Sequence, residues 1–164
     1  MARKAEYINP PNTLRTKLAG PAFNMAEMVA RAEKAVDGLK GEFDNWLTDD
    51  IAALDQTMKQ FSTARTKADA GALFRAAFDL RGQATTFGFP FIARIAKSLA
   101  HLIEGVSAND TARETVSLAL LTAHIDAIHV IHRDQIKDEA NVMAIVLAEE
   151  LEGRVLQTLA RLNA

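Results

Sequence analysis

The chain has 164 residues, 49% of them hydrophobic, which is enough for one compact domain with a substantial core. A formal net charge of −2 argues against a general affinity for nucleic acid or anionic lipid, because both partners require a clustered basic surface. The absence of cysteine excludes disulfides, thiolate metal sites and a cysteine nucleophile.

The first 22 residues hold three of the four prolines, Pro10, Pro11 and Pro21, which predicts an extended or flexible N-terminal arm. This arm has no apolar run of signal-peptide length, and nowhere do about 18 consecutive apolar residues occur to span a bilayer. We therefore expect a cytoplasmic protein, not bound to membranes, whose single folded domain covers residues 23–164.

The pattern of residues 23–61 is helical. Apolar residues recur at steps of three and four, first at Met25, Met28, Val29, Ala32, Val36 and Leu39, and then at Phe43, Trp46, Leu47, Ile51, Leu54, Met58 and Phe61. This spacing predicts two helices, or one long helix bent near Gly38 and Gly41. We expect Trp46 to pack on the core side or against the arm, and a polar connector to follow at 62–69.

Four more helices are predicted, at about 70–87, 90–106, 110–136 and 139–162. Gly88 supplies a helix stop, and Pro90 suits the first position of the next helix. The segments SAND and KDEAN predict the remaining turns. Because no segment alternates with a two-residue period, we expect an all-α fold, an antiparallel four-helix bundle with an N-terminal helical extension.

The helix predicted at 70–87 has two distinct faces. One face is an ordinary core stripe, formed by Leu73, Ala76, Ala77, Leu80, Ala84 and Phe87. The opposite face carries Phe74, Phe78, Arg81, Gly82 and Thr85, with Gly71 at its start. Since a glycine inside a helix costs about 1 kcal/mol relative to alanine, Gly82 suggests that a partner approaches the backbone there. Phenylalanine beside arginine is also typical of protein interfaces.

The segment AAFDLRGQATTFG, followed by an apolar helix that closes with LAHLIE, resembles the histidine-phosphotransfer (HPt) domain of two-component phosphorelays. The family motif is His-x-Leu-Lys-Gly, with a small residue soon after it and a glycine ten residues beyond the histidine. Leu80, Arg81, Gly82, Ala84 and Gly88 match this motif in register. The resemblance implies an HPt-like bundle with its motif helix at about 70–87.

Phe78 stands where the family has its phospho-accepting histidine. A phenyl ring has no lone pair, so phosphotransfer through this position is excluded, and we expect no enzyme activity, cofactor or metal. The resemblance implies that the cation, Arg81, lies near the acidic pocket of a receiver domain. We therefore expect a pseudo-HPt adaptor or inhibitor that docks response-regulator receiver domains through Phe74, Phe78, Arg81, Gly82 and Thr85.

Two other interpretations concern the same helix. Asp79 neighbours Phe78 but lies beside Arg75, and an intrahelical ion pair or solvation accounts for it better than a role as phosphoryl acceptor. A structural homodimer, or coverage by the N-terminal region, would bury Phe74 and Phe78 and make them core residues.

A further alternative uses the histidines of HIDAIHVIHRD, in a bundle that binds a small molecule or a metal. The spacing places His132 within the apolar stripe of its helix, facing the bundle, and His124 and His129 on either side of that stripe. A zinc site needs three or four converging ligands, so these residues are more consistent with structural histidines.

Overall fold

The structure is a computed structural model that describes residues 25–162, apart from the side chains of residues 36, 37 and 39–44. Within that range the chain forms six α-helices and no strand, which confirms the predicted all-α class for this part. None of these helices combines the length and apolar composition that a membrane span needs. The helices are α1 (Met25–Ala64), α2 (Lys67–Thr86), α3 (Pro90–Ser107), α4 (Asp110–Thr115), α5 (Leu118–Arg133) and α6 (Val142–Leu162).

The chain divides into two compact units, residues 1–40 and 41–164. The helix α1 is assigned without a break across this boundary, so Gly38 and Gly41 do not end it. The predicted arm, residues 1–22, lies outside the described residues.

The two ends of α1 differ in burial. Near its start Met25, Met28 and Val29 are exposed. Its C-terminal part belongs to the core of residues 41–164 through Leu47, Ile51, Leu54, Met58 and Phe61, all buried as predicted. Trp46 is not a core residue, because 48% of it is exposed; its ring lies 6.5 Å from that of Phe87. The alternative, packing of Trp46 against the arm, lies outside the described residues.

The connector between α1 and α2 is much shorter than the predicted 62–69, and consists of Arg65 and Thr66. Thr66 forms a capping box: the backbone N–H of Asp69 donates to Thr66 Oγ1 (3.1 Å), and the backbone N–H of Thr66 donates to the Asp69 carboxylate (3.3 Å). This box satisfies two of the free N–H groups at the start of the helix, so α2 begins at Lys67 rather than at residue 70.

The turn between α2 and α3 confirms the predicted stop and start. Gly88 has a φ of 76°, the left-handed conformation that glycine adopts without strain. The N–H of Phe89 donates to the carbonyl of Ala84 (2.8 Å), and the N–H of Gly88 donates to that of Thr85 (3.3 Å). These two bonds make a Schellman motif, after which Pro90 opens α3 at a position that needs no N–H.

The most buried helix is α3, because it packs against α2, α4, α5 and α6. Its buried side chains include Phe91, Ile92, Ile95, Ala96, Leu99, Leu102, Ile103 and Val106. A bidentate ion pair ties α3 to α6, in which Arg94 Nε and Nη2 donate to the two carboxylate oxygens of Glu152 at 2.8 and 2.7 Å. This hydrogen bonding holds the pKa of Glu152 below its ordinary value.

The prediction of a single helix at 110–136 is wrong, because the structure has two helices there. Val116 has an extended ψ of 135°, and Ser117 Oγ accepts a hydrogen bond from the N–H of Leu120 (3.3 Å). Because a serine side chain competes with helical backbone bonding and favours the N-cap, the segment separates into α4 and α5, and α5 ends at Arg133.

Arg113, in α4, is buried and binds two helix ends. Its Nε donates to the carbonyl of Arg65 (3.2 Å), and its other nitrogens donate to the carbonyl of Ser107 and the carboxylate of Asp110. In return, the Arg65 guanidinium donates to the carbonyl of Glu114. The short helix α4 therefore joins the end of α1 to the end of α3.

The last helix, α6, begins at Val142, three residues after the predicted start at residue 139. Asn141 Oδ1 accepts a hydrogen bond from the N–H of Ala144 (3.0 Å). An asparagine that makes this bond is an N-cap, so the helix starts directly after it.

Candidate docking surface

The helix α2 presents one face to the core and another to solvent. Its buried residues are Ala70, Leu73, Ala77, Leu80 and Ala84. On the other side Phe78, Arg81, Gly82 and Thr85 are exposed, and Phe74 is half-buried. Of the five residues predicted from the helical spacing, four face solvent, while Phe74 packs partly against the core; the five lie together along α2. We call them the motif face.

Two aromatic rings and a cation are in contact on the motif face. The rings of Phe74 and Phe78 stack with centroids 6.0 Å apart, and 53% of Phe78 is exposed. Arg81 Cζ lies 5.8 Å from the centroid of the Phe78 ring, within the range of a cation–π interaction. An exposed aromatic surface thus adjoins an exposed guanidinium.

Gly82 leaves the backbone of the motif face bare. A methyl group built on Gly82 would meet no atom within 4 Å, so packing inside the protein does not require glycine here. Next to it, Thr85 Oγ1 donates to the carbonyl of Arg81 (2.9 Å), which turns the hydroxyl back on its own helix. A partner can therefore approach the helix closely between Phe78 and Thr85.

Beside the motif face is a groove between the C-terminal part of α1 and α2, with a volume of about 550 Å³. Trp46, Asp50 and Asp79 line it together with Phe78 and other α2 residues. Sequence reasoning missed this groove, since it expected Trp46 to pack on the core side or against the arm. The four-residue step from Trp46 to Asp50 was the available signal, because it puts both on one side of α1.

The Asp50 carboxylate of the groove is partly buried. Asp50 Oδ2 is buried and has no hydrogen-bond donor among the described residues. Burial raises the pKa of Asp50 above its ordinary value, and the nearby charges of Asp79 and Asp49 raise it further. Across the described part of the chain, no ion pair joins Asp79 to Arg75. Asp79 is exposed to solvent in the groove, in line with the solvated interpretation.

The three histidines of α5 do not converge. His124 is fully buried, His129 Nε2 lies 3.0 Å from Asp55 Oδ1, and the His132 ring lies 5.8 Å from that of Phe89. No group of three or more metal-binding side chains that could hold an ion occurs within residues 25–162. The prediction that His124 only flanks the buried stripe is wrong. Since α5 packs against both α3 and α6, a wider face is buried than one stripe.

His124 instead forms a buried polar pair with Ser98. Its Nδ1 lies 2.8 Å from the carbonyl of Leu120, which can only accept, so Nδ1 carries the proton. Burial lowers the pKa of His124, so Nε2 is unprotonated and accepts from Ser98 Oγ (3.1 Å). Ser98 lies inside a helix, where the backbone N–H groups bond within the helix and cannot stabilise an oxyanion. The pair joins α3 to α5.

Comparisons with known proteins do not assign the chain to a family. No protein-family model matches the chain, and neither a curated protein nor a solved structure matches it.

Proposed function

We propose that this protein docks the receiver domains of response regulators through the motif face, as an adaptor or inhibitor that carries no phosphate. The observation that carries the proposal is the exposed Phe78 ring, with Arg81 beside it and bare backbone at Gly82. In the HPt domains that this segment resembles, the position of Phe78 holds the reactive histidine. Here it supplies apolar contact area instead.

The chemistry of the motif face supports a protein partner with an acidic site. A guanidinium offers several donors in a planar fork and suits a carboxylate or a phosphoryl group. The stacked rings of Phe74 and Phe78 supply apolar area next to that charge. Because a phenyl ring cannot accept a phosphoryl group, such docking shields or sequesters an aspartyl phosphate without removing it.

The proposal includes the fold of the family. We assign α2, α3, α5 and α6 to the four helices of an HPt-like antiparallel bundle, with α4 as a short insertion before α5 and α1 as the N-terminal extension. In this assignment the motif face lies on the first helix of the bundle, and the protein acts in the cytoplasm, where response regulators reside.

Titration calorimetry with the receiver domains of the same organism, with and without beryllofluoride as a phosphoryl mimic, tests the proposal. We expect micromolar binding to at least one receiver. Arg81→Ala is expected to weaken it about tenfold, which corresponds to about 1.4 kcal/mol. Arg161→Ala, which removes an exposed arginine from the last turn of α6, is the matched control and is expected to bind like the wild type.

Two outcomes contradict the proposal. If no receiver binds, the motif face has another occupant. Sedimentation velocity then tests the homodimer, which Phe78→Ala would dissociate if Phe78 lies at its interface. If a receiver binds but Arg81→Ala and Arg161→Ala have equal effects, docking occurs elsewhere on the protein.

A further inference from the structure

The groove next to the motif face combines aromatic walls with acidic groups. Trp46 and Phe78 line it and are each about half exposed, at 48% and 53%, and Phe87 also lines it. Gly82 contributes open backbone at its edge. Asp50 and Asp79 are the charged side chains that line it in the described structure, and both are acidic.

Asp50 is the residue that gives this groove a preference for a positively charged occupant. Asp50 Oδ2 is buried and has no donor in the part of the chain that the structure describes, which costs free energy as long as the group is ionised. Asp79 increases this cost by repulsion, which acts in the same direction as burial on the pKa of Asp50. A positive charge in the groove would offset both effects, because Coulomb attraction is stronger in a partly desolvated site than in water.

The aromatic walls favour the same kind of occupant. The faces of tryptophan and phenylalanine rings attract cations, most strongly when the cation is desolvated. Lysine and arginine also have apolar stems that can lie along ring surfaces while their charged ends reach a carboxylate. Arg81 rests on the Phe78 ring but does not line the groove, so no basic side chain of the described residues occupies it.

We propose that the groove lined by Trp46, Asp50 and Asp79 receives an arginine or lysine side chain of the protein that docks on the motif face. This inference rests on the proposed docking function and extends it, because it states a charge that the partner must present. The motif face and the groove share Phe78 and Gly82, so one partner covers both. Arg81 then pairs with an acidic group on the partner, while Asp50 and Asp79 pair with a basic one.

The protein carries its own reporter, because Trp46 is its only tryptophan and lines the groove. We would titrate the full chain with the peptide acetyl-Gly-Arg-Gly-amide and record tryptophan fluorescence, with the Gln and Glu versions of the peptide as controls. We expect a saturable change with the Arg peptide only. Asp50→Asn and Asp79→Asn are each expected to weaken it at least about fivefold, and Asp126→Asn, at an exposed position of α5, to leave it unchanged.

Three results would overturn the inference. One is the absence of a saturable change with the Arg peptide. Another is an equal response to the Gln peptide, which would show an apolar groove without charge preference. The third is a tighter response to Mg²⁺ or Ca²⁺ alone, which would make the groove a metal site. Thermal unfolding of Asp50→Asn is the control for folding. We expect this variant to remain folded, because the substitution removes a carboxylate whose Oδ2 is buried without a donor among the described residues.

The same variants separate this inference from the docking proposal. If a receiver binds and Arg81→Ala weakens it, but Asp50→Asn and Asp79→Asn do not, docking stands and the groove inference fails. If the Arg peptide binds but no receiver does, the proposal that receivers are the partners fails. The inference that the groove selects a basic side chain then still holds.

Discussion

Substitutions at Gly82 test whether this glycine is required for packing inside the protein or for the close approach of a partner. A side chain added at Gly82 meets no atom within 4 Å, and the residue lies in the last turn and a half of α2. Since alanine fits a helix better than glycine by about 0.5–1 kcal/mol, Gly82→Ala is expected to stabilise the protein by that amount. For a chain of this length the gain corresponds to a melting temperature about 1–4 °C higher.

The matched control is Gly153→Ala in α6. A side chain at Gly153 also meets nothing within 4 Å, so the same gain in helix propensity is expected there. Calorimetric melting and urea unfolding of both variants measure this gain. If Gly82→Ala destabilises the protein while Gly153→Ala stabilises it, a group that packs on Gly82 has been missed and the backbone is not open.

Gly82→Leu extends the test to binding. Leucine is a good helix former, so stability should again not fall, but its side chain projects from the motif face. We expect receiver affinity to fall more than about tenfold, while Gly153→Leu, which acts on another helix, leaves it unchanged. A loss of stability together with a loss of binding would refute the reasoning, because the glycine would then be a packing residue.

Three further predictions concern residues elsewhere in the fold and at the motif. Arg113→Met removes the donor to the half-buried carbonyls of Arg65 and Ser107 and should lower the free energy of unfolding by about 1–3 kcal/mol in urea titrations, whereas Arg133→Met should have little effect. Because burial lowers the pKa of His124, the unfolded state binds more protons below about pH 6.5; stability should therefore fall as pH falls through this range, and less so in His124→Gln. Phe78→His restores the family motif beside Arg81 and should accept radiolabelled phosphate from a phosphorylated receiver; a variant that binds but stays unlabelled would contradict the HPt assignment.

Local signals predicted those parts of the fold that depend on a few neighbouring residues. Gly88 and Pro90 mark the end of α2 and the start of α3, because a left-handed residue and a residue without an N–H have few other uses there. The three- and four-residue spacing also placed Phe78 and Arg81 on the side of α2 opposite its buried residues.

Spacing alone was misleading where a helix has more than one neighbour. It placed His132 in the buried stripe of α5 and His124 beside it, yet His124 is the fully buried residue. The burial of His124 follows from the packing of α5 on both α3 and α6, with Ser98 of α3 opposite the imidazole. The break at Ser117 was likewise missed, because one capping bond ended a helix whose apolar pattern continued.

The sequence by itself determined the all-helical class, the turn at Gly88 and the composition of the motif face. Each of these follows from the conformational preferences of single residues and from the helical period. Only the tertiary structure decided that Trp46 and Asp50 form a groove with α2, and that Asp50 Oδ2 is buried there without a donor among the described residues. Burial and charge repulsion depend on which helices lie side by side, and a one-dimensional pattern does not contain that information.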